Sequence, residues 1–288
     1  MNIKKIDRVV KPGTPHMVGD GFRVHNFIPG SYSMQDTDPF IMLDYNSKTH
    51  FTPTEIPRGV GVHPHKGFET VTIAYKGKVE HGDSSGNSGI IHEGDVQWMT
   101  AASGILHKEF HEREWAKKGG EFQMVQLWVN LPAKDKKSAA KYQNLTNSKI
   151  PKVKVDGGEV EVIAGEFKGE KGAAFTFSPV NLLNAKLEKG ASVDFNFPAA
   201  YTTALLMVEG AGRVNGETTL PEDHFLMFSN EGEDFTFEAT EDSILLVLSG
   251  QKLNEPIAAH GPFVMNTRHE LVEAFQEFNQ GKFGYLAD

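Results

Sequence analysis

Two short pairs of metal-binding side chains constrain this sequence more than any other feature. One residue separates His63 from His65, and one residue separates His107 from Glu109. Side chains alternate between the two faces of a β-strand, so the members of each pair point to the same face. On facing strands of a small barrel, the two pairs bring three imidazoles and one carboxylate together. Such a set suits a divalent first-row transition metal.

The segments around the pairs have the character of strands. The apolar run Thr70–Tyr75 follows the first pair, Gly82–Gly89 is a polar turn, and Val96–Met99 leads towards the second pair. An isolated His-x-His is often incidental, and the spacing by itself leaves that interpretation open. The repetition of the spacing beside glycines and apolar runs favours an open metal site.

Several stretches resemble the cupin superfamily, and in particular its pirin branch. They cover nearly the whole chain and are His63–Thr72, Val79–His81 with Asp83–Ser84, Gly94–Ala101, Gly104–His107, Gln126–Pro132, Pro256–Ala259 and Gly261–Thr267. The resemblance implies a bicupin that binds iron, usually Fe(II), in its N-terminal barrel. The ligands that it implies are His63, His65, His107 and Glu109, and manganese, nickel, copper and zinc also accept such sites.

Glu69 has two interpretations. The general cupin pattern takes its carboxylate ligand from the first motif, at the position of Glu69, whereas pirins take it from the second motif, at Glu109. In this chain Glu69 is then either a hydrogen-bond partner or pocket residue that orients a ligating imidazole, or an ordinary strand glutamate. The sequence leaves both open.

The predicted fold is all-β, with two tandem cupin-type antiparallel β-barrels and a short C-terminal helix. We place the N-terminal barrel with the metal site at residues 1–132, a linker at 133–150, and the second barrel at 151–257. Residues 258–288 form a C-terminal segment. Its helix begins at a capping box, Thr267 to Glu270, and the resemblance implies that it ties the two halves together. The linker lysines are expected to be solvated; they are Lys134, Lys136, Lys137 and Lys141.

An internal repeat indicates that only the first half binds metal. Aligning the halves on their glycine turns pairs each ligand with a residue that cannot replace it. The pairs are His63 with Asn196, His65 with Pro198, His107 with Phe235, Glu109 with Phe237 and, for the first-motif glutamate, Glu69 with Thr202. The second barrel is therefore expected to have an aromatic core and no metal.

The other histidines are interpreted as structural, because they do not match the ligand positions. Among those beside the two motifs, His111 has the strand parity of His107 and Glu109, so it is expected nearest the pocket. The histidines considered are His16, His25, His81, His92, His111 and His224.

Composition excludes several classes of protein. The 288 residues include no cysteine, so a disulfide framework, a thiolate zinc site and an iron–sulfur cluster are excluded. A net charge of -9 argues against direct nucleic-acid binding. No apolar run approaches membrane-spanning length, and the charged N-terminus has no signal-peptide character. We expect a cytoplasmic monomer, with a nuclear location open for a eukaryotic source.

The resemblance implies two alternative functions. Some pirins act as quercetin 2,3-dioxygenases, which implies an iron-dependent enzyme for a flavonol or related small aromatic compound and O₂. In that case Glu109 completes the metal site and, if it loosens from the metal, accepts the proton of a substrate hydroxyl. Other pirins are regulators that bind a transcription factor or a metabolic enzyme, and the acidic charge permits such a protein partner.

Overall fold

The computed structural model describes residues 2–287, and most of its regular structure is β-strand. The first twelve strands are β1 Ile6–Val10, β2 His16–Val18, β3 Phe22–Ile28, β4 Phe40–Phe51, β5 Gly59–His65, β6 Phe68–Lys76, β7 Val79–Asp83, β8 Ser88–Ile91, β9 Val96–Thr100, β10 Ile105–His111, β11 Gly120–Asn130 and β12 Lys141–Leu145. The others are β13 Lys152–Val155, β14 Gly158–Ala164, β15 Glu166–Phe167, β16 Glu170–Lys171, β17 Val180–Leu187, β18 Ser192–Asn196, β19 Tyr201–Glu209, β20 Gly212–Val214, β21 Thr218–Leu220, β22 Phe225–Phe228, β23 Asp234–Ala239, β24 Ser243–Gln251, β25 Ala258–His260 and β26 Phe263–Met265. The α-helices are α1 Met34–Thr37, α2 Arg113–Ala116 and α3 Arg268–Asn279.

One compact unit contains both predicted ligand pairs, and we call it the histidine unit. It comprises residues 14–35, 40–147 and 253–287. Its seven-stranded sheet has the order β12-β9-β6-β11-β4-β3-β2, and its four-stranded sheet has the order β5-β10-β7-β8. Apolar side chains from both sheets pack together between them, which places the core inside a two-layer sandwich. This cluster comprises Phe22, Val24, Ala74, Val79, Ile91, Phe122 and Met124.

The second compact unit, which we call the phenylalanine unit, comprises residues 2–13, 36–39 and 148–252. Its seven-stranded sheet has the order β1-β22-β19-β24-β17-β14-β13, and its four-stranded sheet has the order β18-β23-β20-β21. Position by position, this arrangement matches that of the histidine unit, as the predicted internal repeat requires. Its core cluster of buried apolar residues includes six phenylalanines; they are Phe167, Phe195, Phe197, Phe228, Phe235 and Phe237.

The C-terminal helix forms as the sequence predicts. Thr267 Oγ1 accepts a hydrogen bond from the Glu270 backbone N–H, and the Glu270 side chain accepts one from the Thr267 backbone. This reciprocal pair is a capping box, which satisfies two amide groups that the first turn leaves unpaired. Leu271 and Phe275 then pack against Phe263 of β26, within the histidine unit.

The all-β prediction with a short C-terminal helix is confirmed, and two local predictions are wrong. The alternating stretch Ala174-Phe175-Thr176-Phe177, whose sequence predicts a strand of the second barrel, forms no strand, and Phe175 is 54% exposed. Lys136 is buried rather than solvated, because its ammonium group donates to Gly67 O, Val264 O and Asn130 Oδ1 at 2.6–3.0 Å. Within the predicted linker, residues 141–145 form β12 and pair with β9. The domain boundaries remain predictions. Over residues 2–287, the helices are too short and too polar to cross a bilayer.

Candidate metal centre

A bulge between β5 and β10 sets the positions of the candidate ligands. His107 lies directly opposite His63, but the register then shifts, so that Glu109 lies opposite Val60. The extra residue of β5 falls beside Gly61, whose carbonyl accepts a hydrogen bond from His63 Nδ1 at 2.8 Å. β-Bulges reorient side chains next to functional sites. The hydrogen bond to the Gly61 carbonyl requires a proton on His63 Nδ1. Nε2 is therefore unprotonated and can bind a metal ion.

The structure brings the three predicted histidines together. One ring nitrogen from each of His63, His65 and His107 lies within 4.8 Å of the others. The ring centroids are 4.2 Å apart for His63 and His107, 4.7 Å for His65 and His107, and 4.9 Å for His63 and His65. Three nitrogen donors at this mutual distance can share one metal ion and leave further coordination positions open.

The burial of the three histidines and their lowered pKa values favour the binding of a cation. His107 is 1% exposed, and within residues 2–287 neither of its ring nitrogens has a hydrogen-bond partner; the same holds for His65 Nδ1. Burial lowers the pKa of all three imidazoles, and in His65 and His107 the neighbouring histidines lower it further. Neutral imidazoles are the metal-binding form, and unpaired nitrogens are costly to bury. The residues present therefore fit a divalent transition metal.

Glu109 lies two residues beyond His107 and is held by two polar side chains. Gln126 Nε2 donates to Glu109 Oε2 at 3.0 Å, and the Thr72 hydroxyl lies 3.2 Å from Glu109 Oε1. The same hydroxyl lies 2.6 Å from Gln126 Oε1, so its single proton is shared between these two acceptors, and the donation from Gln126 Nε2 to Glu109 fixes the amide orientation. Burial raises the pKa of Glu109 to about 7, and the two hydrogen bonds oppose that rise. Burial therefore favours the protonated form of Glu109 as long as no metal is bound.

A cavity of about 270 Å³ opens onto these residues. Its walls are mostly apolar, and β11 contributes Met124, Gln126 and Trp128 at every second position. The Trp128 ring lies 5.1 Å from the His65 ring, which places this wall against the histidines. The lining residues are Val18, Phe22, Val24, Met42, Asp44, Val60, His63, His65, Glu109, Met124, Gln126 and Trp128.

Glu69 points away from the histidines. The ring of the preceding residue, Phe68, lies 5.2 Å from the His65 ring, and side chains alternate along β6. Glu69 instead accepts a hydrogen bond from the Thr100 hydroxyl at 2.7 Å, and burial raises its pKa to about 7. Of its two interpretations, the structure favours that of a strand glutamate.

Two flanking histidines are structural, as interpreted from the sequence. His111 is buried among aromatic rings, and its Nε2 donates to Gly21 O at 2.8 Å. His81 lies 2.6 Å from the Tyr142 hydroxyl through Nε2 and accepts from Gln97 through Nδ1 at 2.9 Å. Neither lines the cavity, so the parity of His111 does not bring it into the pocket.

Phenylalanines occupy the equivalent positions of the second unit. β18 and β23 pair with Phe195 opposite Phe235, as β5 and β10 pair with His63 opposite His107. The sequence alignment of Phe235 and Phe237 with the second pair agrees with this register. Its alignment of Asn196 and Pro198 with the first pair is wrong by one residue, because Asn196 points outward. The positions facing inward belong to Phe195 and Phe197.

Two family models match the chain. One, described as Pirin, covers residues 21–129, and one, described as Pirin C-terminal cupin domain, covers residues 182–284. The chain belongs to the pirin family. The predicted resemblance and the bicupin fold are thereby confirmed.

Individual relatives match nearly the full length of this pirin-family chain. A Pseudomonas aeruginosa protein named putative quercetin 2,3-dioxygenase is 42% identical, and the match covers 98% of this chain and 99% of that protein. A pirin-like protein of Solanum lycopersicum is 38% identical over 93% of this chain and 89% of its own length. A crystal structure titled quercetin 2,3-dioxygenase, from Acinetobacter baumannii, is 48% identical with a TM-score of 0.94 and covers 99% of this chain and 100% of that one.

Sequence reasoning found the histidines of this pirin-family chain but missed the residues that support Glu109 and form the cavity. Thr72 and Gln126 belong to strands β6 and β11, which are distant in sequence from β10 and from each other. A signal for Gln126 is nevertheless present, because a glutamine between Met124 and Trp128 interrupts the apolar face of a buried strand. The register across three strands, which places Gln126 beside Thr72, cannot be deduced from that signal.

Proposed function

We propose that this chain binds Fe(II) through His63, His65, His107 and Glu109 and acts as a dioxygenase on a flavonol or related small aromatic compound. The observation that carries the proposal is the cluster of three buried imidazoles with unpaired nitrogens beside an apolar-walled cavity. The names of the Pseudomonas and Acinetobacter relatives support the choice of reaction and substrate.

Fe(II) held by this set supplies a Lewis-acidic, redox-active centre with open positions for a substrate oxygen and O₂ chemistry. The protein orients its donors through the Gly61 carbonyl on His63 and through Gln126 and Thr72 on Glu109. Such supporting hydrogen bonds hold ligands in one geometry.

Glu109 has a second role in the proposed reaction, as the acceptor of the substrate hydroxyl proton. A carboxylate bound to Fe(II) is ionised, so Glu109 would accept this proton on loosening from the metal. The Gln126 amide and the Thr72 hydroxyl hold the carboxylate in place. Removal of the proton makes the aromatic ring more electron-rich and therefore easier to oxidise.

The cavity limits which molecules can react. At about 270 Å³ it is at the small end of ligand pockets and admits a flat aromatic compound rather than a polymer. Trp128, Met42 and Met124 provide apolar surface for an aromatic ring, and methionine sulfur packs well against such rings. Burial of the ring there excludes water from the reacting group.

The test is O₂ uptake by purified protein whose metal content has been measured. With iron bound and quercetin present, we expect consumption of O₂ together with loss of the flavonol. Chelation should stop the reaction, and restored Fe(II) should return it. The variant His107→Ala is the matched control and should be inactive. Iron-loaded protein that turns over no flavonol and no other phenolic compound would contradict the proposal and favour the alternative of a regulator.

A further inference from the structure

The polar groups of the cavity are few, and nearly all of them are engaged. The three histidines and Glu109 form the proposed metal site. Gln126 uses its amide oxygen for Thr72 and its nitrogen for Glu109. Asp44 remains, a carboxylate that lines the same cavity and is 9% exposed. A buried carboxylate in an apolar wall is costly unless it has partners.

Asp44 has one hydrogen-bond partner, Asn26, which is rigidly held, and it also interacts electrostatically with His16. Asn26 Nδ2 donates to Asp44 Oδ1 at 2.8 Å and to Ile28 O at 2.8 Å, while Asn26 Oδ1 accepts from Gly30 N at 3.2 Å. Within residues 2–287 the other carboxylate oxygen, Oδ2, has no hydrogen-bond partner. Because Asp44 lines the cavity, this oxygen is available to a ligand.

The strand register places Asp44 within reach of a molecule bound at the metal site. On the seven-stranded sheet Asp44 lies directly opposite Gln126, and Gln126 contacts Glu109. Directly paired residues have Cα atoms about 5 Å apart. A ligand that contacts the metal beside Glu109 and extends over Gln126 therefore ends at Asp44, one strand further along.

We propose that Asp44 binds a substrate hydroxyl group at the end of the cavity away from the metal, and so selects polyhydroxylated aromatic substrates over less hydroxylated ones. A phenolic O–H donates to the free carboxylate oxygen, and hydrogen bonds to a charged acceptor are short and strong. An aromatic compound without that hydroxyl leaves the buried oxygen unpaired, which penalises its binding. This inference rests on the proposed function.

The experiment compares two flavonols that present the same group to the metal. Quercetin and 3-hydroxyflavone share the 3-hydroxyl and 4-keto groups, but only quercetin has hydroxyls on its outer rings. We would measure both dissociation constants by anaerobic titration calorimetry on iron-loaded protein. The proteins are the wild type, Asp44→Asn, Asp44→Ala, and the control Asp156→Asn. Asp156 is exposed in the other unit, so its replacement makes the same change in net charge outside the cavity.

In the wild type and in Asp156→Asn, quercetin should bind about 10- to 100-fold more tightly than 3-hydroxyflavone, the effect of one hydrogen bond to a charged group. In Asp44→Asn the hydrogen bond from Asn26 can remain, but a neutral donor replaces the free acceptor. The preference should therefore fall to about threefold or less, as it should in Asp44→Ala, because quercetin loses its acceptor while 3-hydroxyflavone, which no longer leaves a charged oxygen unpaired, binds as tightly as in the wild type or more tightly.

Three outcomes separate the inference from the function on which it rests. If both Asp44 variants keep the full preference for quercetin, or if the wild type binds the two flavonols equally well, the inference fails although the enzyme proposal stands. If iron-loaded wild type binds neither flavonol, the proposed function fails, and the inference fails with it.

Discussion

The two units of the chain share one strand order and differ in what four equivalent interior positions hold. In the histidine unit the β5–β10 pair carries His63, His65, His107 and Glu109. In the phenylalanine unit the β18–β23 pair carries Phe195, Phe235 and Phe237, and Phe197 directly follows β18. The aromatic rings stack on one another, with 5.0 Å between the centroids of Phe195 and Phe235. One framework therefore supports either a metal site or an apolar core.

This difference implies that a metal site lowers the stability of the unit that contains it, whereas the phenylalanine unit is not destabilised in this way. Buried imidazoles with unpaired nitrogens destabilise a core, while packed rings of similar size stabilise it. We therefore expect substitutions at equivalent positions to have opposite consequences in the two units. Substitution in the phenylalanine unit should cost stability without affecting metal, and substitution in the histidine unit should do the reverse.

The largest effect is expected at the centre of the phenylalanine unit. Phe235 stacks against Phe195 and Phe228, so Phe235→Ala leaves a cavity and should lower the free energy of unfolding by about 3–5 kcal/mol. Urea unfolding measures this change. Metal content per folded chain should equal that of the wild type, and its loss would show that the phenylalanine unit takes part in metal binding.

Acid should destabilise the histidine unit specifically. Burial lowers the pKa of His81 to about 4, against about 6.5 in an unfolded chain. The unfolded state therefore binds the extra proton first, so the stability is fully present above pH 6.5 and is lost as the pH falls towards 4. The loss approaches about 1.4 kcal/mol per pH unit for this one group. All three tryptophans belong to the histidine unit, so the tryptophan-detected urea midpoint of metal-free protein reports on it.

His81→Gln is the control for the acid effect, because glutamine can hydrogen-bond to Gln97 and Tyr142 but does not titrate. Glu69 and Glu109 respond in the opposite sense, since their raised pKa values add stability as the pH falls. The difference between wild type and variant therefore isolates His81. Equal acid sensitivity in the two proteins would show that this histidine does not contribute.

His107→Ala should lower bound metal at least about tenfold, because it removes one of the three nitrogen donors. The fold should survive, since the alanine replaces an imidazole that has no hydrogen-bond partner within residues 2–287. Metal analysis and unfolding curves measure the two quantities. Wild-type protein should hold one ion per chain, and a second tightly bound ion in the phenylalanine unit would contradict the comparison.

The smallest expected effect is a difference in Fe(II) affinity between variants of the two buried glutamates of the histidine unit. Glu109→Gln keeps one oxygen donor but loses the charge, so Fe(II) affinity should fall severalfold. Glu69→Gln should change it by less than about twofold, since Glu69 bonds to Thr100 on the other face of β6. Metal titrations of the two variants provide the comparison. A site emptied by Glu69→Gln alone would place the carboxylate ligand in the first motif.

Much of the candidate site could be predicted from the sequence, because side chains alternate between the two faces of a strand. The spacing of His63 and His65 determines a shared face once a strand is assumed, and the alignment of the two halves identifies Phe235 and Phe237 as the replacements of His107 and Glu109. The one-residue error at Asn196 arose because the halves were aligned on glycine turns. The apolar alternation of Val193 and Phe195 in β18, continued by Phe197 directly after it, indicates the inward face.

The parts that the sequence did not predict depend on long-range pairing. Asp44, Gln126 and Thr72 come from three strands whose order, β4-β11-β6, is not their order in the chain. The lysine-rich pattern predicts a solvated Lys136, because its actual partners, Gly67 and Val264, lie far away in sequence. Local patterns contain no information on such contacts, which is why the supporting residues and not the ligands were missed.

The discontinuity of the histidine unit affects how the protein is made. A ribosome synthesises residues 253–287 after residues 148–252. That late segment nevertheless belongs to the histidine unit, to which it supplies α3 with Leu271 and, beyond the helix, Phe283. Domains otherwise tend to fold in the order of synthesis. Here the phenylalanine unit is complete once residue 252 has been synthesised. The histidine unit, which contains the candidate ligands, still lacks α3 at that point. We therefore expect metal to be loaded after translation has passed this segment, rather than onto the nascent chain.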